Sequence, residues 1–149
     1  MLCLLQRVTQ ASVSVNGASI AAIEAGLLVL VGVERGDTPT QAERMAERVL
    51  SYRVFEDAAG KMNLSLAQTA GALLLVPQFT LAANTAQGKR PSFAPAAPPD
   101  VAAVLFDDLL LRTRERHTTV ASGQFGAHMQ VALVNDGPVT FLLRVTAQE

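Results

Sequence analysis

Two uninterrupted apolar runs, Gly26-Leu27-Leu28-Val29-Leu30-Val31-Gly32-Val33 and Ala72-Leu73-Leu74-Leu75-Val76-Pro77, constrain this chain more than any other feature. A run of strand length without polar alternation reads as a strand buried on both faces. Strands of that kind sit at the centre of a sheet and need cover on two sides. Both runs are far shorter than the ~20 residues of a membrane-spanning helix, so the covering layers have to come from this chain or from a second subunit.

The size of the chain allows the first option. At 149 residues it is expected to form one domain, residues 1–149, burying about 68–70% of its unfolded surface. Half of the residues are hydrophobic, only 17% are charged, and the mean hydropathy is +0.28. Such apolar richness implies a large core or an apolar face covered by another subunit. The single cysteine, Cys3, excludes an internal disulfide and fits a reducing compartment. The N-terminal Met1-Leu2-Cys3-Leu4-Leu5 is apolar but lacks a basic leader and a cleavage region. A cytoplasmic protein without membrane segments is the expectation. The net charge of −1 provides no general basic field for long nucleic acid. The local basic spots are Lys89-Arg90 and the group Arg112, Arg114, Arg116 with His117.

Around the central runs the pattern is legible in pieces. Residues 2–9 and 11–15 read as strands, and Asn16-Gly17 is a strong hairpin signal before a return strand at Ile20–Ile23. Thr38, Pro39 and Gln41 supply an N-cap, a proline at N1 and a capping-box partner at N3. Ala42, Met45, Ala46, Val49 and Leu50 then follow helical spacing, so a helix is expected to about Tyr52. Tyr52–Asp57 returns to strand, and Lys61–Gly71 reads as a loop or short strand. The stretch 81–99 carries four of the seven prolines and no periodicity, an ordered loop long enough to be functional. A second helix opens at Pro99-Asp100 and runs to about Arg116. Strands at 129–135 and 139–146 flank Asn135-Asp136-Gly137-Pro138, which read as a turn. The expected fold is α+β: a mostly antiparallel curved sheet or partial barrel with two helices, in a single domain.

Familiar catalytic equipment is absent. One Cys and two widely separated His (His117 and His128) cannot make an ordinary zinc site. No glycine-rich nucleotide loop and no GxSxG elbow occur. An enzyme built on this chain has to work through backbone N–H groups, bound water and the substrate itself.

The stretches Leu75–Thr85, Lys89–Phe93 and Gly123–Thr140, with the opening Leu4–Val15, together resemble the D-aminoacyl-tRNA deacylase family, and the likeness covers essentially the whole chain. The resemblance implies a homodimeric ester hydrolase without cofactor or metal. Its substrate is the 3′ end of tRNA carrying a D-amino acid or glycine. It also implies that a Gly-cisPro pair, here Gly137-Pro138, enters the partner's pocket. There it meets Gln78, Phe79, Thr80 and Met129, with Arg7 bracing the loop. Distinguishing D from L needs a third contact that does not yield, and proline-stiffened main chain serves better than a rotatable side chain.

N–H donors near Phe79 and Thr80 are expected to face the developing oxyanion. Thr80 is read as a positioning group, with a nucleophilic role as the alternative. Lys89 and Arg90 suit either the phosphates of a tRNA end or the solubility of the loop. Where the family usually has serine before Gln-Phe-Thr this chain has Pro77, and relatives with proline there discriminate chirality less strictly. A non-enzymatic nucleic-acid-binding module is the remaining alternative.

Overall fold

The computed structural model describes residues 1–147. Its elements are strands β1 (Leu2–Val15), β2 (Ala18–Ile23) and β3 (Gly26–Gly32), helix α1 (Pro39–Ser51), strands β4 (Arg53–Glu56) and β5 (Met62–Ser65), the one-turn helix α2 (Leu66–Thr69), strand β6 (Ala72–Pro77), a 3-10 turn (Phe79–Ala82), helix α3 (Pro99–Arg116), and strands β7 (Val120–Ser122) and β8 (Gln130–Arg144).

The two apolar runs are β3 and β6, paired in parallel at the centre of the main sheet. Their side chains alternate between two cores. Leu27, Val29, Leu73 and Leu75 join α1 and α3 through Met45, Val49, Phe106 and Leu109. Leu28, Leu74 and Val76 point the other way, to Val8, Val13, Met129 and Leu133. Burial on both faces is why neither strand carries a polar alternation. Their start is very close: a Cβ on Gly26 would lie 1.8 Å from the Ala72 carbonyl oxygen, so only glycine fits.

The sheet order is β2-β1-β3-β6-β7, with β8 on the other edge of β1. The long β1 pairs with β3 through Leu2–Val8 and with β2 through Ala11–Val15. Asn16 and Gly17 both take positive φ, 51° and 80°, in the two-residue hairpin that their sequence signals. The pairs along β1 are antiparallel, while β3–β6 and β6–β7 are parallel. The curved, nearly closed sheet carries the two expected helices on one side.

Two elements differ from the sequence reading. Ser65 and Gln68 form a reciprocal capping box, so Leu66–Thr69 is a turn of helix within the segment read as loop or short strand. More consequential, Asn135–Pro138 does not reverse the chain. Residues 130–134 and 140–144 both lie antiparallel along β1, from Ser14↔Gln130 to Leu2↔Arg144. Between Gln6↔Thr140 and Val8↔Asn135 two steps of β1 face five of β8. The four turn-formers are therefore a bulge pushed out of one long strand. A local reading takes a Gly-Pro pair for a turn; β8 continues because β1 is long enough to template both of its halves.

Candidate active site

A cavity of about 420 Å³ opens at the C-terminal end of β6. Pro77, Gln78 and Phe79 form one wall, Pro99 and Ala102 of α3 another, and Phe125 and Met129 a third. Of the residues expected in a site, it brings together Gln78, Phe79 and Met129. Thr80 adjoins them in the 3-10 turn. The Gln78 N–H donates to the Val31 carbonyl (2.7 Å), extending the β3–β6 pairing by one residue. The chain then breaks into the 3-10 turn, leaving Phe79 56% exposed at the cavity.

Proline at 77 removes no ladder bond. Residue 77 faces the same side as Leu75, whose carbonyl accepts from Gly123 N–H (2.8 Å) after β7 has already ended. The position is thus compatible with Pro as a strand terminus.

As the first residues of the 3-10 turn, Phe79 and Thr80 have N–H groups with no intrahelical acceptor, and neither bonds elsewhere among the described residues. The Thr80 hydroxyl accepts from the Gln78 amide Nε2. Among the described residues no base bonds that hydroxyl: His117 Nε2 donates to the Gly71 carbonyl (2.5 Å), and His128 lines a separate hollow with Ser14 and Asn16.

Met129 is fixed by the segment before it. Its sulfur accepts from the Gln124 N–H (3.3 Å), and a Cβ at Gly123 would come within 3.0 Å of that sulfur. Phe125 leans on Phe106 of α3, ring centroids 6.4 Å apart, which seats the third wall on the helix. Phe125, Pro99 and Ala102 carry no role in the sequence reading. The Gly123–Thr140 stretch contains Phe125, whereas the two α3 residues enter only through packing.

Gly137, Pro138 and Arg7 lie elsewhere. The Gly137-Pro138 peptide is cis, and residues 136–138 are exposed. Arg7 is 8% exposed and donates through Nε to the Asp136 carbonyl (2.9 Å) and through a terminal nitrogen to the Val54 carbonyl (2.8 Å). Asn135, which sequence alone does not single out, closes the base of the bulge. Its Nδ2 donates to the carbonyls of Arg7 (3.0 Å) and Val139 (2.9 Å), and its Oδ1 accepts from Val139 N–H (3.1 Å). Arg7 pairs with Leu27 and Leu27 with Leu73, whereas Gln78 follows the Val31↔Pro77 pair. The bulge is one strand further out, on β8, so five residues along the strands and three strand spacings place it on the order of 20 Å from the cavity of its own chain.

A second hollow, about 370 Å³, spans β2, β1 and β8 and carries no titratable side chain. Among the described residues no three His, Cys, Asp or Glu side chains converge, and no helix is long and apolar enough to cross a membrane.

The fold is a barrel-like α+β domain, and the residues that line its cavity are apolar, aromatic or amide-bearing, with no titratable side chain among them. Residues 4–144 match the family described as D-Tyr-tRNA(Tyr) deacylase. Proteins named D-aminoacyl-tRNA deacylase are 64% identical in Methylococcus capsulatus (97% of this chain, 94% of that one) and 61% identical in Janthinobacterium sp. strain Marseille (97% of each). The solved structure of a protein named c-Myc DNA Unwinding Element Binding Protein superposes with a TM-score of 0.94 at 39% identity, covering 98% of this chain and 99% of that one. That of a probable eukaryotic D-amino acid tRNA deacylase shares the fold at TM-score 0.82 and 19% identity, covering 95% and 97%. The chain belongs to the D-aminoacyl-tRNA deacylase family and is an ester hydrolase of that class.

Proposed function

We propose that this enzyme hydrolyses the ester between a D-amino acid, or glycine, and the terminal adenosine of tRNA in the cytoplasm, as a homodimer. The observation that carries the reading is the separation of the two motif regions. The bulge cannot reach the cavity of its own chain, yet a two-fold axis can bring it to the cavity of a second copy. The exposed Val134 (47%) and Leu142 (55%) on either side of the bulge supply apolar surface for that contact.

In the assembled site, main chain at Gly137-Pro138 holds the substrate's α-ammonium and occupies the space of an L side chain. Glycine has no side chain to exclude. Water adds to the ester carbonyl, and the N–H groups of Phe79 and Thr80 stabilise the oxyanion; one such donor is worth ~2.7–4 kcal/mol. Collapse of the tetrahedral intermediate breaks the acyl C–O bond. The amino acid departs as its acid, and the 3′-oxygen takes up a proton. The neighbouring 2′-hydroxyl helps to position the water. Thr80, held by Gln78 and without a bonded base among the described residues, positions groups and does not attack. Pro77 at the cavity wall relaxes the strictness of D over L.

The test is hydrolysis of matched D-tyrosyl-, L-tyrosyl- and glycyl-tRNA. D- and glycyl-tRNA should turn over faster than L. Thr80→Ala should stay within a few-fold of wild type. Gly137→Ala, whose Cβ would lie 2.0 Å from Val139 N, should lose nearly all activity. Equal rates for both enantiomers sink the shape-selection reading, and loss of turnover in Thr80→Ala favours a threonine nucleophile. Duplex-DNA binding, suggested by the name of the 39% identical protein, has against it the net charge of −1.

A further inference from the structure

We infer that the hairpin between Asn84 and Ser92 is the phosphate-binding edge of the site, with Lys89 and Arg90 holding the single-stranded sugar-phosphate chain where it leaves the cavity. The inference rests on the reading that this cavity takes the 3′ end of an aminoacyl-tRNA.

The loop is built and fastened to the cavity. Asn84 and Ser92 exchange two backbone hydrogen bonds, 2.8 and 3.0 Å, and Asn84 Oδ1 accepts from Ala86 N–H at 3.0 Å. The Phe93 ring tilts against Phe79 with centroids 5.2 Å apart, which ties the hairpin to the aromatic rim of the cavity. Its far end is bonded to the segment after β3, through Arg35 N–H to the Pro95 carbonyl (2.9 Å) and Ala97 N–H to the Val33 carbonyl (3.0 Å). Arg90 is three residues from Phe93, within about 10 Å of it along the chain.

The charge distribution gives the partner its sign. Leu81–Pro99 contains no acidic residue. In the other basic group Arg112 pairs with Asp108 and Glu43 and Arg116 with Glu43, while Arg114 makes no ion pair among the described residues. Arg7 pairs with Asp136 and Arg144 with Glu34. Lys89 and Arg90, both exposed, make no ion pair among the described residues. Arg35 joins them, its Nε donating to the Ala94 carbonyl at 2.6 Å while the residue stays exposed. A local cationic edge on a chain of net charge −1 suits a few phosphates of one strand, not a long duplex.

The experiment compares wild type with Lys89→Ala/Arg90→Ala. Binding of fluorescently labelled uncharged tRNA is measured across a salt series, and hydrolysis is measured on D-tyrosyl-tRNA and on D-tyrosyl-adenosine. Each phosphate contact to a single strand contributes ~0.7 to the salt slope, so the double variant should lower it by about 1.4. KM for D-tyrosyl-tRNA should rise roughly tenfold with kcat unchanged. D-tyrosyl-adenosine, which lacks the phosphates, should be hydrolysed as by wild type. An unchanged salt slope, or equal losses on both substrates, overturns the inference. Failure of wild type to hydrolyse either substrate would instead overturn the functional reading, while the binding comparison still decides whether the hairpin holds phosphate.

Discussion

Asn135→Ala should loosen the bulge without touching the cavity of the same chain. The side chain makes three hydrogen bonds, to the carbonyls of Arg7 and Val139 and from the N–H of Val139, at 3.0, 2.9 and 3.1 Å. It therefore stitches both ends of the bulge to each other and to β1. At about 1 kcal/mol net per bond, with part recovered by water at this half-buried site, the loss comes to about 2–3 kcal/mol. With a urea m-value of ~1.5 kcal/mol/M, that is a fall in midpoint of about 1.3–2 M, read at fixed protein concentration because the unfolding of the proposed dimer would depend on it. Asn135→Asp keeps the acceptor for Val139 N–H but turns carboxylate oxygen toward two carbonyls, so at neutral pH it should be at least as damaging.

The functional readout is the ratio of D- to L-tyrosyl-tRNA hydrolysis, which should fall in both variants as the bulge gains freedom. Arg7→Met removes two further hydrogen bonds that Arg7 donates, one to the Asp136 carbonyl in the bulge and one to the Val54 carbonyl of β4. Because the two side chains hold one loop, the double variant should miss additivity by at least about 0.5 kcal/mol. A midpoint within about 0.3 M of wild type, roughly 0.5 kcal/mol at that m-value, together with an unchanged D-to-L ratio, would refute the bracing role of Asn135.

Three further outcomes can be checked independently. Gly26→Ala should cost about 3 kcal/mol or more, since its Cβ meets the Ala72 carbonyl oxygen at 1.8 Å and the central parallel pair has to separate; thermal melts measure it. Burial pushes the Cys3 thiol from 9.0 up to about 12. The folded state holds that proton more tightly than the unfolded state, so the associated stability is complete below pH 9 and is lost as pH rises from 9 toward 12, at up to about 1.4 kcal/mol per unit. Urea midpoints between pH 8 and 10 should fall less steeply in Cys3→Val, and parallel curves would exclude the thiol as the cause. Val134→Lys/Leu142→Lys should convert a sedimenting dimer to monomer and abolish deacylation while leaving the circular dichroism spectrum intact; an active monomer would exclude a shared site.

The legible parts of the sequence are those decided by near neighbours. The α1 cap is written in Thr38, Pro39 and Gln41, and the double burial of β3 and β6 in their unbroken apolar runs. The short α2 carries the same capping-box signature at Ser65 and Gln68. With only four residues, α2 has no amphipathic period to accompany the cap, and the flanking strand character dominates. The continuity of β8 was hidden for a different reason. It depends on β1 supplying partners on both sides of the bulge, a pairing between the two ends of the chain that no local pattern records.

The candidate site divides along the same line. Gln78, Phe79 and Met129 converge because a strand end and a neighbouring segment are locked to the sheet, whereas Pro99 and Ala102 join only when α3 docks. Gly137-Pro138 stays apart from them within one chain. In the proposed dimer, that separation would account for the scarcity of catalytic side chains. A site completed by a second subunit acquires its selectivity from the geometry of assembly, so each chain needs only a stiff projection and a receptive cavity at opposite ends of the same strands. Those strands then carry a mechanical requirement in addition to a packing one. The distance between bulge and cavity is set by the β8–β1–β3–β6 register, and a slip of one residue would shift it by ~3.3 Å, more than the proposed hydrogen bond to the substrate's ammonium could absorb. The close approach at Gly26 and the two-sided apolar burial hold that register fixed.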